Sequence, residues 1–389
     1  MINRKILILI GALALCFCTC WAEGQQEQWL GYYTGREAHM VVGDMGVRIL
    51  PLGDEKPKGV ELPEFESEGP IFARWDSPMA KNGHLWIALD RSHLYGPYDR
   101  LYIDANGDGA LRDEAVISAY RTSVNYAYFG PVKVVFASHD GPITYHLNFN
   151  FIKLSDTKEL RVYAGGWYEG EIKIGAAKKK CVLIDHNANG TFNDRSLDPG
   201  QCDRIRIDSE TRFVGQYLEV VGVLYEPEIA RDGACIKLTE AENVIFGEIR
   251  LPGSLTAFAA GGEKGLFNVK PQEGRAKLPT GKYRVNSWII ETKDEQGITW
   301  RLEGLEADEK SIFEISPQKT SNLAVGEPVI ALLTVSKRNE TTFSFNQTLQ
   351  GRLGERISLL RNGIRPRPPQ VHIKNEDGSY ERTYTLEYG

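Results

Sequence analysis

One stretch constrains this chain more than any other: Asp104-Ala105-Asn106-Gly107-Asp108-Gly109-Ala110-Leu111-Arg112-Asp113-Glu114. Oxygen-bearing side chains at its first, third and fifth positions, with glycine at the sixth, open a loop of the kind that wraps a hard divalent cation. The apolar run Leu101-Tyr102-Ile103 leads into it. The plan returns 81 positions later, where Asp185-His186-Asn187-Ala188-Asn189-Gly190-Thr191-Phe192-Asn193-Asp194 follows Val182-Leu183-Ile184. Laid on their first aspartates, the stretches align without a gap, pairing Gly109 with Gly190, Leu111 with Phe192 and Asp113 with Asp194. Two related hairpin-plus-loop units in one domain are expected. Two copies are too few for a solenoid.

Calcium takes about six to eight oxygen ligands. The first loop offers the side chains of Asp104, Asn106 and Asp108, the carbonyl of Ala110, and a closing carboxylate from Asp113 or Glu114. The second offers Asp185, Asn187, Asn189, Thr191 in the place of Ala110, and Asp194, with Asp198 as an extra. It is poorer in carboxylates, so weaker binding is expected there. Both depart from the helix–loop–helix hand. The usual closing glutamate is replaced by Ala115 and Ser196, and the flanking runs read as strands. The ion-free alternative is a pair of Asx-turns, which use the same Asp, Asn and Gly for local hydrogen bonds. His186 is expected to point outward.

The formal charge of −6 gives no footprint for nucleic acid or anionic lipid. Lys178-Lys179-Lys180, the one basic run, reads as a solvated hairpin turn. Residues 1–22 have the anatomy of a secretory signal: Asn3-Arg4-Lys5, apolar Ile6 through Phe17, then Cys20-Trp21-Ala22 before a cut at Glu23. A lipidated Cys16 is the competing reading, disfavoured by the bulk of Leu15. The chain is thus expected to be exported (periplasmic, cell-surface or extracellular), with no transmembrane segment in its mature form. Cys181, Cys202 and Cys235 remain outside that leader, enough for one disulfide with a thiol left over, or for buried free thiols.

Period-2 alternation dominates and helical periodicity is scarce, so the expected fold class is all-β. A β-rich domain over 23–235 carries the two loops, and a second over 240–389 reads as an immunoglobulin-like or prealbumin-like β-sandwich. The boundary is placed near 232–245. Expected strands include His39–Val42, Val47–Leu50, Leu85–Leu89, Arg100–Ile103, Tyr126–Phe129 and Val132–Phe136 about a Gly130-Pro131 turn, and Ile143–Phe151 with His146, Asn148 and Asn150 on its solvated face. Gly261-Gly262 reads as a turn.

Catalytic constellations are nearly missing. There is no nucleophile elbow, HExxH, phosphate-cradling loop or dinucleotide fingerprint. Glu169 and Glu171 beside Trp167 and Tyr168 are the one carboxylate pair that glycoside hydrolysis could use. Trp167 and Tyr168 could equally make a sugar-stacking platform.

The order Gly69-Pro-Ile-Phe72, Trp86-Ile-Ala-Leu89-Asp90, Asp99-Arg-Leu101-Tyr-Ile-Asp104-Ala-Asn-Gly-Asp108-Gly, Tyr128-Phe-Gly130-Pro131-Val132, Tyr168-Glu-Gly170 and Val182-Leu-Ile-Asp185-His-Asn-Ala-Asn-Gly190 resembles uncharacterised secreted calcium-loop β-proteins of planctomycete-like bacteria. The resemblance covers much of 69–195 and less elsewhere. It implies the calcium-loop architecture and no activity. The expectation is therefore an exported, calcium-stabilised β-protein acting as a non-enzymatic binding or surface-associated module, its partner a polysaccharide or other cell-surface component. A secreted carbohydrate-active hydrolase using paired carboxylates is the alternative.

Overall fold

The computed structural model describes residues 26–388 except 140, 155–156 and 306–308. The leader expected over 1–22 and its cut before Glu23 lie outside the described residues. The chain is all-β: among the described residues only three one-turn 3-10 helices, Ala38–Met40, Pro199–Gln201 and Glu309–Ser311, interrupt the strands. None of these helices is long and apolar enough to cross a membrane.

Alternation builds the N-terminal unit. Strand Ile143–Lys153 pairs antiparallel with Tyr126–Phe136 on one side and Lys158–Ala164 on the other. Its Tyr145, Leu147, Phe149 and Phe151 all point into the core with at most 1% exposure. Each such side chain contributes about 1.5–3 kcal/mol by leaving water. Arg48–Leu50 and Arg121–Ser123 complete this five-stranded sheet at its two edges. A second five-stranded sheet runs Glu210–Phe213, Arg204–Ile207, Ala177–Ile184, Gly166–Ile174, Gly31–Thr34. Two four-stranded sheets flank them, one from Ile71–Asp76, His84–Asp90, Arg100–Ile103 and Ile117–Ser118, the other from Gln28–Trp29, Cys235–Glu240, Val223–Ile229 and Leu218–Val220. A single apolar cluster reaching from Leu30 to Leu238 joins all four sheets. Because Cys235–Glu240 belongs to this unit, the boundary falls within 241–245.

Both loops leave the second strand of an antiparallel hairpin, as their spacing implies. One hairpin pairs His84–Asp90 with Arg100–Ile103, the other Gly166–Ile174 with Ala177–Ile184.

Several local expectations are corrected. His39–Val42 is not a strand. It turns through the 3-10 helix Ala38–Met40, and Gln28–Trp29 and Gly31–Thr34 take the pairing instead. Its apolar residues serve a different surface: Val41 and Val42 pack on Ala164 at the end of a first-sheet strand and on Val182 and Ile184 of the second sheet. Gly130-Pro131 is no turn either, since Tyr126–Phe136 is one strand with a register shift opposite Leu147 and Phe149. Gly130 sits there at φ +117°, and a Cβ on it would lie 2.4 Å from Asn148 Oδ1. Glycine is what lets the bulge close. Gly261 and Gly262 end strand Leu255–Gly262 rather than forming a turn. The lysine run lies on strand Ala177–Ile184, with Lys178, Lys179 and Lys180 paired to Glu171, Asp208 and Glu169.

The C-terminal unit encloses its own core between two sheets, a β-sandwich. Phe246–Arg250, Arg275–Pro279 and Thr320–Asn322 form the small sheet, the last pairing parallel with the first. The large sheet centres on the thirteen-residue strand Gly281–Lys293, with Leu255–Gly262 and Thr299–Leu305 beside it. Ile249 and Leu278 from the small sheet meet Phe258, Tyr283, Val285 and Trp288 from the large one. Inside, the Trp288 indole N–H donates to the buried Glu355 carboxylate at 2.8 Å. Gln216 and Tyr217 donate backbone hydrogen bonds to Glu263 and Lys264, joining the two units.

Candidate metal centre

The two loops share a sequence plan and differ in how their oxygens are used. In the first, Asp104 Oδ2 accepts the Gly109 N–H at 3.0 Å, Asn106 Oδ1 accepts the Asp108 N–H at 2.9 Å, and Asp108 Oδ1 accepts the Ala110 N–H at 2.9 Å. Glu114 Oε1 folds back onto the N–H of Ala105 at 2.8 Å. Leu111, fully buried, anchors the loop on Phe72, Ala88 and Tyr102. One oxygen is left over. Asp104 Oδ1 is buried and accepts no hydrogen bond, on a residue only 2% exposed. An ionised carboxylate oxygen buried without a partner is costly, and the usual remedies are a proton or a cation. Burial indeed pushes the Asp104 carboxyl above its ordinary range, and does the same to Glu114.

Asn106, Asp108 and Asp113 are exposed at the mouth of this loop. Among the described residues no three His, Cys, Asp or Glu side chains form a group placed to hold a metal ion. A hard cation here would therefore draw on the amide of Asn106 and the carbonyl of Ala110 beside Asp104 and Asp108, the mixed oxygen set that calcium accepts.

The second loop is closed on itself. Asp185, fully buried, accepts the N–H of Asn189 at 3.2 Å on one oxygen, and on the other the N–H of Gly190 at 2.6 Å and the Tyr145 hydroxyl at 2.8 Å. Asp194 Oδ2 collects three donors: Asn187 Nδ2 at 3.1 Å, Asn189 Nδ2 at 2.6 Å and the Thr191 hydroxyl at 2.9 Å. The amide orientations are fixed, because Asn187 Oδ1 and Asn189 Oδ1 themselves accept the N–H groups of Asn189 and Thr191. Where the first loop leaves Asp104 Oδ1 bare, the second meets both Asp185 oxygens with backbone N–H groups and the Tyr145 hydroxyl, and its asparagine amides satisfy Asp194.

Residues outside the motif complete this closure. Asp203, also fully buried, accepts the backbone N–H of His186 at 3.0 Å and of Asp194 at 2.8 Å. Arg204 reaches Asp44 at 2.7 Å, the carbonyls of Cys202 and Pro199, and His186 Nε2 at 3.2 Å, while its guanidinium lies 4.1 Å over Phe213. His186 therefore points inward, 6% exposed, against the expectation. Burial, with Arg204 beside it, pushes its imidazole down to about 4, whereas burial pushes Asp185 up to about 7 and Asp203 well above the carboxylate range. No local sequence signal marks Asp203, Arg204 or Asp44 as parts of one site.

The other candidates resolve plainly. Glu169 binds Lys180 at 2.7 Å and the Trp167 indole N–H at 3.1 Å, so its carboxyl is held below the usual range. Exposed Glu171 lies 3.6 Å from Lys178. Tyr168 is buried against Tyr32 and Phe192, so it cannot share a platform with Trp167. His146 is half-buried against Tyr32 rather than solvated, and Asn148 is buried. Cys181 and Cys202 are buried thiols and Cys235 is a half-buried one, none of them bridged.

The chain matches no protein-family model, no curated protein and no solved structure.

Proposed function

We propose that this chain is an exported β-protein in which the Asp104 loop takes calcium as a structural staple, and that it binds a polysaccharide or other surface component without turning it over. The observation that carries the calcium reading is the buried, unpartnered Asp104 Oδ1 inside an Asp-x-Asn-x-Asp-Gly loop. The Asp185 loop has the same plan but meets its own oxygens with its own N–H groups, so one calcium per chain is expected. Export rests on the sequence of residues 1–22.

Binding is favoured over hydrolysis by the state of the carboxylates. A general acid needs a raised pKa, and Glu169 is held low by Lys180 and Trp167. The test is a melting curve with calcium and with chelator, together with elemental analysis of bound metal. A ligand that binds only the folded state raises its melting temperature. Calcium should do so for the wild-type chain and not for Asp104→Ala. An equal response in both would overturn the assignment.

A further inference from the structure

The large sheet of the C-terminal unit ends in an arm. Its order runs Gly265–Val269, Leu255–Gly262, Gly281–Lys293, Thr299–Leu305, Arg356–Arg361, Phe343–Gln350, Ile330–Lys337. Phe343–Gln350 joins Arg356–Arg361 only where Gln350 meets Arg356, yet it pairs with Ile330–Lys337 along the full length of both strands. The hairpin therefore projects from the sheet, and all eight residues of Ile330–Lys337 are exposed.

The two ends of the sheet are treated differently. Beside Gly265–Val269 the N-terminal unit closes the edge. Gln216 and Tyr217 donate to the carbonyls of Glu263 and Lys264, and a Cβ on Gly215 would lie 2.4 Å from Gly265 Cα. At the other end Ile330–Lys337 is paired on one side only. The Arg338 N–H donates to the Thr342 carbonyl at 2.9 Å. Alternation along an antiparallel ladder then aims the N–H and C=O groups of Ala331, Leu333, Val335 and Lys337 away from Phe343–Gln350. Proteins blunt open edges with proline, bulges, inward charges or very short strands. This strand has no proline, no register shift and no charge before Lys337.

The pleat sorts the arm into two faces. One carries Ala331, Leu333 and Val335 opposite Leu349, Gln347 and Phe345; the other carries Ile330, Leu332, Thr334 and Ser336 opposite Gln350, Thr348, Asn346 and Ser344. Leu333 and Val335 are 51% and 52% exposed. Phe343–Gln350 is the more polar strand, with Asn346, Gln347 and Thr348 at its middle.

What the apolar edge fits is another copy of itself. Two identical strands meet antiparallel about a two-fold axis when one residue faces its own copy. With the axis at Leu333, Ala331 stands opposite the partner's Val335, Leu332 opposite the partner's Thr334 and Ile330 opposite the partner's Ser336, so each face continues into its like. Shifting the axis one residue further would set Lys337 against the partner's Ala331. Charge favours the same arrangement. Glu327 precedes the strand and Lys337 and Arg338 end it, all three exposed. Among the described residues Glu327 and Lys337 make no ion pair within the chain. Antiparallel pairing brings the acidic start of each strand to the basic end of the other; parallel pairing would set like on like. We infer that two copies of this chain associate through Ile330–Lys337, joined antiparallel about a two-fold axis at Leu333 into a shared four-stranded arm. The pairing closes both open edges and stops at two copies. It makes no use of the Asp104 loop.

The experiment is sedimentation velocity of the full mature chain across micromolar concentrations, where a monomer–dimer equilibrium is expected. Leu333→Lys sets two lysines face to face at the axis and should weaken the dimer by about a hundredfold. Val124→Lys, at a site 73% exposed on the N-terminal unit, should dimerise as wild type. Melting curves establish that each variant folds, as substitutions at exposed positions should. Leu333→Cys reads the register. Cα atoms of a directly opposed pair lie about 5.5 Å apart, within disulfide reach, so a mild oxidant should link two copies of this variant far faster than two of the wild type. A monomer at every concentration, assemblies larger than two, a dimer that survives Leu333→Lys in folded protein, or no linkage of Leu333→Cys beyond the wild-type level overturns the inference.

Discussion

The indole N–H of Trp75 donates to the carbonyl oxygen of Ala188 at 2.7 Å, both residues fully buried. Trp75 belongs to the sheet of the first loop and Ala188 to the second loop, so one hydrogen bond ties the two related units together through the core. Ala188 is held at φ +51°, a conformation that an alanine adopts only when its surroundings impose it. Replacing Trp75 with Phe removes the donor and strands the carbonyl. The expected cost is about 1–3 kcal/mol for the unpaired group, with more from the lost volume, read as a lower denaturant midpoint at unchanged slope.

Asp104 should behave in opposite ways with and without calcium. In chelator its carboxylate is a buried charge with one bare oxygen, so Asp104→Asn should cost little stability or add some. With calcium the same change should forfeit most of the stabilisation that the ion gives. Paired melting curves read both signs. A variant destabilised equally under both conditions would show that Asp104 serves only the loop's hydrogen bonds.

Around the second loop two neighbours titrate against each other. Asp185, raised from 3.8 to about 7, gives stability that is full below pH 3.8 and is lost as the pH climbs through 7, and Asp203 works in the same direction. His186, lowered from 6.5 to about 4, gives stability that is full above pH 6.5 and is lost as the pH falls through 4. In chelator the wild-type denaturant midpoint should therefore vary less between pH 4 and 7 than that of His186→Gln, which should fall steadily as the pH rises. Equal slopes in the two proteins would refute the opposition.

The cysteines should differ in reach rather than in acidity. Burial pushes the Cys181 thiol up to about 12 and the Cys202 thiol up to about 11, and it raises Cys235 as well. An aromatic disulfide reagent at pH near 8 should label Cys235 slowly in the native protein and the other two only after denaturation. Prompt labelling of all three would mean that the core opens far more readily than its packing implies.

What could be read from the residues alone follows from how local each cause is. The Asp, Asn and Gly pattern of the loops makes its hydrogen bonds within a few residues, and both loops stand where their letters place them, each at the end of a hairpin. Strand Ile143–Lys153 was legible for the same reason, since alternation is a property of consecutive residues. The inward turn of His186 was not, because Arg204 and Asp44 cause it from 18 and 142 positions away. Trp167 is visible as an aromatic, but adjacency in sequence suggests Tyr168 as its partner. Successive strand residues point to opposite faces, and the true partner, Tyr33, is supplied by register across a strand pair. The segment His39–Val42 has the apolar letters of a strand and spends them packing across a sheet.

The strap from Gly31 to Leu50 has a consequence in time. Its contacts lie with Trp167, Tyr163, Leu160 and Thr211, and the strand just before it pairs with Cys235 and Ile236. The segment made early can therefore dock only after more than a hundred further residues have been made, and the strand before it only after more than two hundred, and closing such long loops is slow. Until then the outer faces of two sheets stay bare, including the ring of Trp167. The strap is therefore laid over sheets that have already formed, so its first strands cover the finished surface rather than seed it.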